Sequence, residues 1–398
     1  TPNVLLPQIE VRLAFMIGGD ASRYLGIYTQ HVDGAGRQFA VIQNYGIQPS
    51  DVDAMWGQNS YSGILMDNRQ LMADADANGY NYYSGISRAI EAYTVLFLTD
   101  MFGDIPYSEA LQGLDNLQPA FDAQQSIYNE LRRLISEARI LLSGEEGPVS
   151  TDGDLIYGGN AAKWQKFLNV LEARLVLHLA KRDNANYQNA LDILAEGGFE
   201  SSADDARIVF GTTAASSGPW FQYIEQRDDI NIGDSYQMMM EDLNDPRRST
   251  HGHILDVTDD PHPIFKRDQA VPLLTFTEQK FIEAECQFQA AGAGAAHQAY
   301  LDGIQSSFVE NQMYWGRLDS VQIGADMFAV ADLDLSALYD DYVAQASVDP
   351  GSGALTINEI MTQKYIALFS DPEVFCDWRR TGIPTLDPNT GTQVPRRL

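Results

Sequence analysis

The chain has 398 residues, 44% of them apolar, and a formal net charge of −29 from 55 acidic and 26 basic side chains, only six of which are lysine. Acidity on this scale repels phosphates and anionic headgroups, so it excludes nucleic acid and docking on lipid through a basic patch. No apolar run reaches membrane-spanning length, and the two cysteines, Cys286 and Cys376, lie too far apart for a CxxC metal or redox motif.

Residues 4–31 are predicted as one long helix with Ile9, Leu13, Met16 and Ile17 on its buried side, bent or split at Gly18-Gly19. Residues 31–53 are glycine-rich and polar and read as a loop. A second helix begins near Trp56 and runs to about Ala77. It ends in Asp74-Ala-Asp76-Ala-Asn78-Gly79, which matches the opening of an EF-hand loop, but the twelfth position is Gly85 and not the bidentate Glu that calcium needs. A polar turn with Gly79 at positive φ is the preferred reading, with a structural calcium as the alternative and no other cofactor expected. The following helix places Ile86, Ile90, Tyr93 and Phe97 on one face, with Leu96, Leu98 and Met101 covering other sides, and stops at Gly103 and Pro106.

Asp122 is the expected cap of a helix to Leu142, and Asn160 that of a helix striped by Trp164, Phe167, Leu168, Leu171, Leu175 and Leu179. Lys163 and Arg174 within it are expected to pair with carboxylates. A shorter helix covers 187–195. From Phe199 to Leu274 helical periodicity fades, with β-prone pieces such as 207–210. Helices resume at 273–292, 295–311 and 335–344, and Thr356 with Glu359 forms a capping box for a helix over 357–369. Arg379 and Arg380 are expected to pair with the surplus acids and pin the C-terminal segment. Cys286 and Cys376 read as small buried side chains, with a disulfide left open.

Six segments carry a family resemblance, in the family's own order: W-x4-Y-x2-I-L at Trp56–Leu65, FGDIPYSEAL at Phe102–Leu111, KWQKFLNVLEARL from Lys163, N-D-P-R at Asn244–Arg247, E-x2-F-x2-A-E at Glu278–Glu285, and Q-K-x2-A-L with D-W-R-R-T-G-x-P from Gln363 to Pro384. Together they resemble the SusD/RagB-type outer-membrane nutrient-binding lipoproteins. The resemblance implies a mainly α fold of tetratricopeptide-like helical hairpins in a single large domain over 1–398, with irregular loops and a few short strands. The helical scaffold would cover about 1–197 and 273–370, and a loop-rich ligand-side insertion about 199–272. It implies capture of an oligosaccharide or polysaccharide at the cell surface and delivery to a SusC-like TonB-dependent transporter. Attachment to the outer membrane would be through a lipid anchor outside this sequence.

No GxSxG, HExxH or P-loop is present, so no enzyme is expected. His251, His253, Asp256, Asp259, Asp260 and His262 offer metal-ligand types without a regular element to fix them, and no metal site is assigned there. A sugar presents apolar C–H faces ringed by hydroxyls, so a site for it combines flat rings with polar side chains. Aromatic residues in loops meet that description: Tyr45 near Asp51, Trp220 with Tyr223, and Tyr314 with Trp315, together with Trp56 at a helix start. Trp164 and Trp378 are assigned to the framework. The alternatives are a family member that takes peptide or another non-sugar nutrient, and a helical-repeat scaffold that binds protein only.

Overall fold

Helix α1 (Pro2–Phe15) passes without a break into a π-helical turn, Met16–Ala21, and then into α2 (Ser22–Tyr28) in the computed structural model of the chain. The structure describes residues 1–227, 229–248, 265–315, 320–323, 326–329, 334–391 and 394–395, with backbone only over 312–315, 320–323 and 326–329. The predicted first helix is thus one rod widened at its glycine pair. The cause is steric. A Cβ on Gly18 would lie 2.5 Å from Cγ2 of Val271, so only glycine lets strand β6 (Val271–Leu274) rest on this turn.

Residues 31–53 are more ordered than their composition suggests. They form β1 (Val32–Gly34), which pairs antiparallel with β5 (Ile230–Ile232), and the helix α3 (Arg37–Gln43). A second π-helical stretch, Ala54–Leu65, leads into α4 (Met66–Asn78), which ends at Gly79 with φ of 69°. Asp74, Asp76 and Asn78 therefore occupy the last turns of a helix, not a calcium-type loop. Asn78 donates back to Asp74, and Asp76 is engaged by Arg88.

Helix α5 (Asn81–Phe102) is buried from Tyr83 to Met101 except at Arg88, which explains apolar residues on all its sides. It ends at Gly103, φ 83°, before the two-residue strands β2 (Ile105–Pro106) and β3 (Phe121–Asp122). Asp122 is not a helix cap. Its carboxylate accepts the backbone N–H groups of Tyr107 and Ser108 and the Ser108 hydroxyl, locking the turn after α5. Asp104 instead accepts the first N–H of α6 (Gln124–Leu142), from Gln124 at 2.9 Å. Asn160 caps α7 (Ala161–His178) as expected, accepting Lys163 N–H at 3.1 Å.

Neighbouring helices pack pairwise as hairpins, α4 on α5, α5 on α6, α6 on α7 and α7 on α8 (Ala185–Ala195). Helix α8 then packs on α11 (Phe276–Ala291), which pairs with α12 (Ala293–Trp315) and rests on α14 (Ile357–Ala367). The helical stack therefore continues in space across the loop-rich stretch 199–272. The described residues of that stretch include β4 (Ala206–Ile208), which pairs with β6, and the short helices α9 (Pro219–Ile224) and α10 (Asp234–Asp242). The six residues of α9 and the nine of α10 lie among Gly, Ser, Asp and Pro, which hides what periodicity they have. The chain closes with α13 (Leu335–Val343), the capping-box helix α14 and α15 (Glu373–Thr381).

The family-like motifs meet in the interior as ion pairs. Arg174 binds Glu278, and His178 sits between Asp100 at 3.0 Å and Glu373 at 2.7 Å. Lys364 pairs with Asp377, and Arg380 bridges Asp377 and Glu285. Arg247 is fully buried, held by Asp245 at 2.6 Å and Gln363 at 2.7 Å. Lys163 departs from expectation: its ammonium donates to the Ala203 carbonyl and lies over the Tyr157 ring. Cys286 and Cys376 are buried free thiols.

Candidate functional site

Helix α2 carries Tyr24 and Tyr28 one turn apart, and two of the predicted aromatic clusters converge on it. Tyr28 meets Tyr45 edge to face at 5.8 Å. Tyr24 packs on Phe39 of α3 at 5.7 Å, Phe39 meets Tyr223 of α9 at 5.5 Å, and Tyr223 meets Trp220 at 6.4 Å. Residues far apart in sequence thus join into one aromatic strip. Tyr24, Tyr28 and Phe39 form its buried floor, while Tyr45, Trp220 and Tyr223 are half-buried and reach solvent.

Charged groups fringe the strip. Asp229 is buried and collects Arg37 at 3.1 Å, Arg227 at 3.7 Å and the Tyr223 hydroxyl at 3.4 Å. Arg23 lies 4.6 Å from the centre of the Tyr223 ring and pairs with Asp20 at 2.5 Å. Burial, reinforced by nearby carboxylates, pushes the Tyr24 phenol up to about 12, so it remains a neutral hydrogen-bond donor across the physiological range. The Tyr28 phenol is likewise pushed up to about 12 by burial, and its hydroxyl has no partner among the described residues.

The other predicted residues have defined places. Asp51 turns its carboxylate onto the Gln48 N–H at 2.7 Å and closes a local turn. The Tyr45 hydroxyl accepts the Asn389 N–H at 2.9 Å, with the Tyr45 backbone at φ 62°. Trp56 is wedged between Tyr61 at 5.2 Å and Phe102 at 4.8 Å, at the end of α5, a framework position apart from the strip. The side chains of Tyr314 and Trp315 lie outside the described residues, as do His251, His253, Asp256, Asp259, Asp260 and His262. Sequence reading missed Asp20, Arg23, Tyr24, Phe39 and Asp229. The i, i+4 tyrosine pair in the first helix was the available signal, hidden because that helix reads as core throughout.

Trp220 also lines a cavity of about 110 Å3 between the Met16–Ala21 turn, β6 and residues 367–372. Its indole N–H donates to the Ser22 hydroxyl at 2.9 Å, and that hydroxyl donates to the Ser370 carbonyl at 2.7 Å. Among the described residues, no group of three or more His, Cys, Asp or Glu is placed to hold a metal ion.

Trp220 and Tyr223, expected in a loop, stand on the short helix α9, and only Tyr45 of the strip is in a loop. A stack of helical hairpins that carries such an aromatic strip beside a cavity defines a binding scaffold. The chain matches, over residues 1–262 and 253–398, the model of a SusD-like family described as starch-binding and associating with the outer membrane, and it belongs to that family. Its fold is that of solved members. A SusD/RagB family protein from Bacteroides thetaiotaomicron superposes with a TM-score of 0.80 at 21% identity, covering 100% of this chain and 92% of that one. A SusD homologue from Bacteroides fragilis gives 0.79 at 23%, covering 100% and 91%. A protein described as chitin-binding gives 0.78 at 21%, covering 100% and 92%. No curated protein matches the sequence. The chain is accordingly a nutrient-binding protein of the outer membrane and not an enzyme. Among the described residues no helix is long and apolar enough to cross a membrane.

Proposed function

We propose that this protein captures a glycan at the cell surface, on the strip formed by Tyr45, Trp220 and Tyr223, and passes it to a SusC-like TonB-dependent transporter. The observation that carries this reading is the convergence of half-exposed rings with Arg23 and Arg227, the latter anchored by the buried Asp229. Ring faces cover the apolar C–H faces of a sugar, and the charged fringe satisfies its hydroxyls. Nothing in this arrangement breaks a bond; it holds the ligand while the transporter supplies the work. The family's descriptions, starch-binding for its model and chitin-binding for one relative, support a polysaccharide ligand. The charge of −29 makes contact with the transporter sensitive to salt.

The test is affinity electrophoresis of the pure protein in gels containing starch, glycol chitin or other soluble polysaccharides. Retardation in one of them, lost in Trp220→Ala, is the expected result. Unretarded migration in every gel, with binding to a peptide mixture, would replace the glycan by a peptide nutrient.

A further inference from the structure

Gln30 and Tyr45 hold φ angles of 60° and 62°, in the left-handed region that favours glycine. Other residues stay in that region only where the surroundings hold them. Both are held by one stretch near the end of the chain. The Gln30 amide donates to the Asp387 carbonyl, the Asn389 N–H donates to the Tyr45 hydroxyl at 2.9 Å, and the Asn389 amide donates to the Gln43 carbonyl at 3.0 Å. That stretch is pinned on both sides: Leu386 packs against the main core, and Val394 lies within it. Between them runs Asp387-Pro388-Asn389-Thr390-Gly391, a turn composition with a proline to stiffen it and a glycine at φ 73°.

Asp387, Asn389 and Thr390 are exposed. The Asp387 carboxylate and the Thr390 hydroxyl have no hydrogen-bond or ion-pair partner among the described residues, and the side-chain carbonyl oxygen of Asn389 is likewise unused. The turn lies at the hydroxyl end of Tyr45, because Asn389 bonds that hydroxyl directly. A sugar seated on a flat ring spreads its equatorial hydroxyls past the ring's edge, and at this end they meet the turn. The Tyr45 hydroxyl accepts the Asn389 N–H and keeps its own proton to donate to a sugar oxygen. Tyr28 supports the same ring edge to face at 5.8 Å, so ring and turn are fixed relative to each other before a ligand arrives. Such preorganisation lowers the ordering cost of binding. We propose that residues 387–390 form a polar shelf of the glycan site: Asp387, Asn389 and Thr390 take the hydroxyls of the sugar unit on Tyr45, and Asn389 also positions that ring. The proposal rests on the glycan reading above and adds to it the residues that select the sugar's hydroxyl pattern.

The test is calorimetric titration with maltohexaose, chitohexaose and the hexamer of any other polysaccharide that retards the protein. Asp387→Ala/Thr390→Ala removes two exposed groups that have no partner among the described residues, so the melting temperature stays unchanged; hexamer binding is expected to weaken by about tenfold. Tyr45→Phe keeps the ring and releases the turn. It is expected to weaken binding by itself and to add less than its own loss to the double variant, because both act on the same contact. Trp220→Ala, at a separate place on the strip, should multiply in full with the double variant. A double variant that binds like wild type, while Trp220→Ala still weakens binding, would overturn the shelf and leave glycan capture standing. Full multiplication of the Tyr45→Phe and double-variant losses would overturn the positioning role of Asn389. Failure of every hexamer to bind would remove the glycan reading, and the shelf with it.

Discussion

Arg174 of α7 and Glu278 of α11, 104 positions apart, are joined by two guanidinium–carboxylate hydrogen bonds at 2.7 and 2.5 Å. Both side chains are buried, and Arg174 also donates to the Leu273 carbonyl. This pair clamps the hairpins before the loop-rich stretch to those after it. Buried ion pairs give back little net stability against the cost of desolvation, but removing one partner leaves a charge stranded. Arg174→Leu is therefore expected to cost about 3–5 kcal/mol in urea denaturation. The double variant Arg174→Leu/Glu278→Leu should recover part of that loss. A double variant no better than the single one would mean that the pair is not the clamp.

His178 sets a pH window. Burial alone would lower its pKa, but the Glu373 and Asp100 carboxylates outweigh burial and raise it to about 10. A histidine whose folded pKa exceeds its ordinary value near 6.5 contributes stability that is full below pH 6.5 and disappears as pH rises toward 10. Glu373 runs the other way: His178 and Arg174 overcome the effect of burial and hold it down to about 2, so its contribution is full above 4.5 and lost on acidification. Melting temperature should peak between about pH 4.5 and 6.5 for this cluster. The alkaline fall between pH 6.5 and 10 should be shallower in His178→Gln; an identical slope in the two proteins would count against it.

Gly18 is expected to tolerate no side chain. Its missing Cβ is the space that Val271 fills, and overpacking of this kind costs about 1–3 kcal/mol. Gly18→Ala should melt earlier than wild type, and Gly18→Ala/Val271→Ala should regain most of the difference. Equal stability of Gly18→Ala and wild type would show that the π-helical turn gives way freely.

The tryptophans should divide by role. Trp164 is wholly buried, its indole N–H on Asp154 at 2.7 Å, and Trp164→Ala is expected to cost about 3–5 kcal/mol of stability. Trp220→Ala keeps the framework and is expected to lower glycan affinity by about tenfold, a loss of about 1.4 kcal/mol. Calorimetry and thermal melting on both variants check this. Weakened binding in Trp164→Ala at a temperature where it is fully folded, with Trp220→Ala unaffected, would reverse the assignment.

Much of the framework was legible before any coordinates. The apolar stripe of α7, the Asn160 cap, the Thr356–Glu359 capping box and the stop at Gly103 all depend on neighbours within a turn or two, and such local preferences are written into the sequence. The structural reading of Arg174 and Arg380 also held, because a charge inside a helical stripe must find a partner. What the sequence by itself determined was therefore the long helices, most of their ends and the family resemblance, while α3, α9 and α10 stayed hidden. Tertiary structure alone decided which groups meet. Asp122 reads as a cap and instead locks a turn; Trp56, which the sequence leaves open to core or ligand, packs on Phe102 at the end of α5; Tyr24, unmarked in the sequence, joins Tyr223 through Phe39. The site depends on contacts between α2, α3 and α9, which chain spacing does not encode, and those contacts exist only once the helical stack has closed around them.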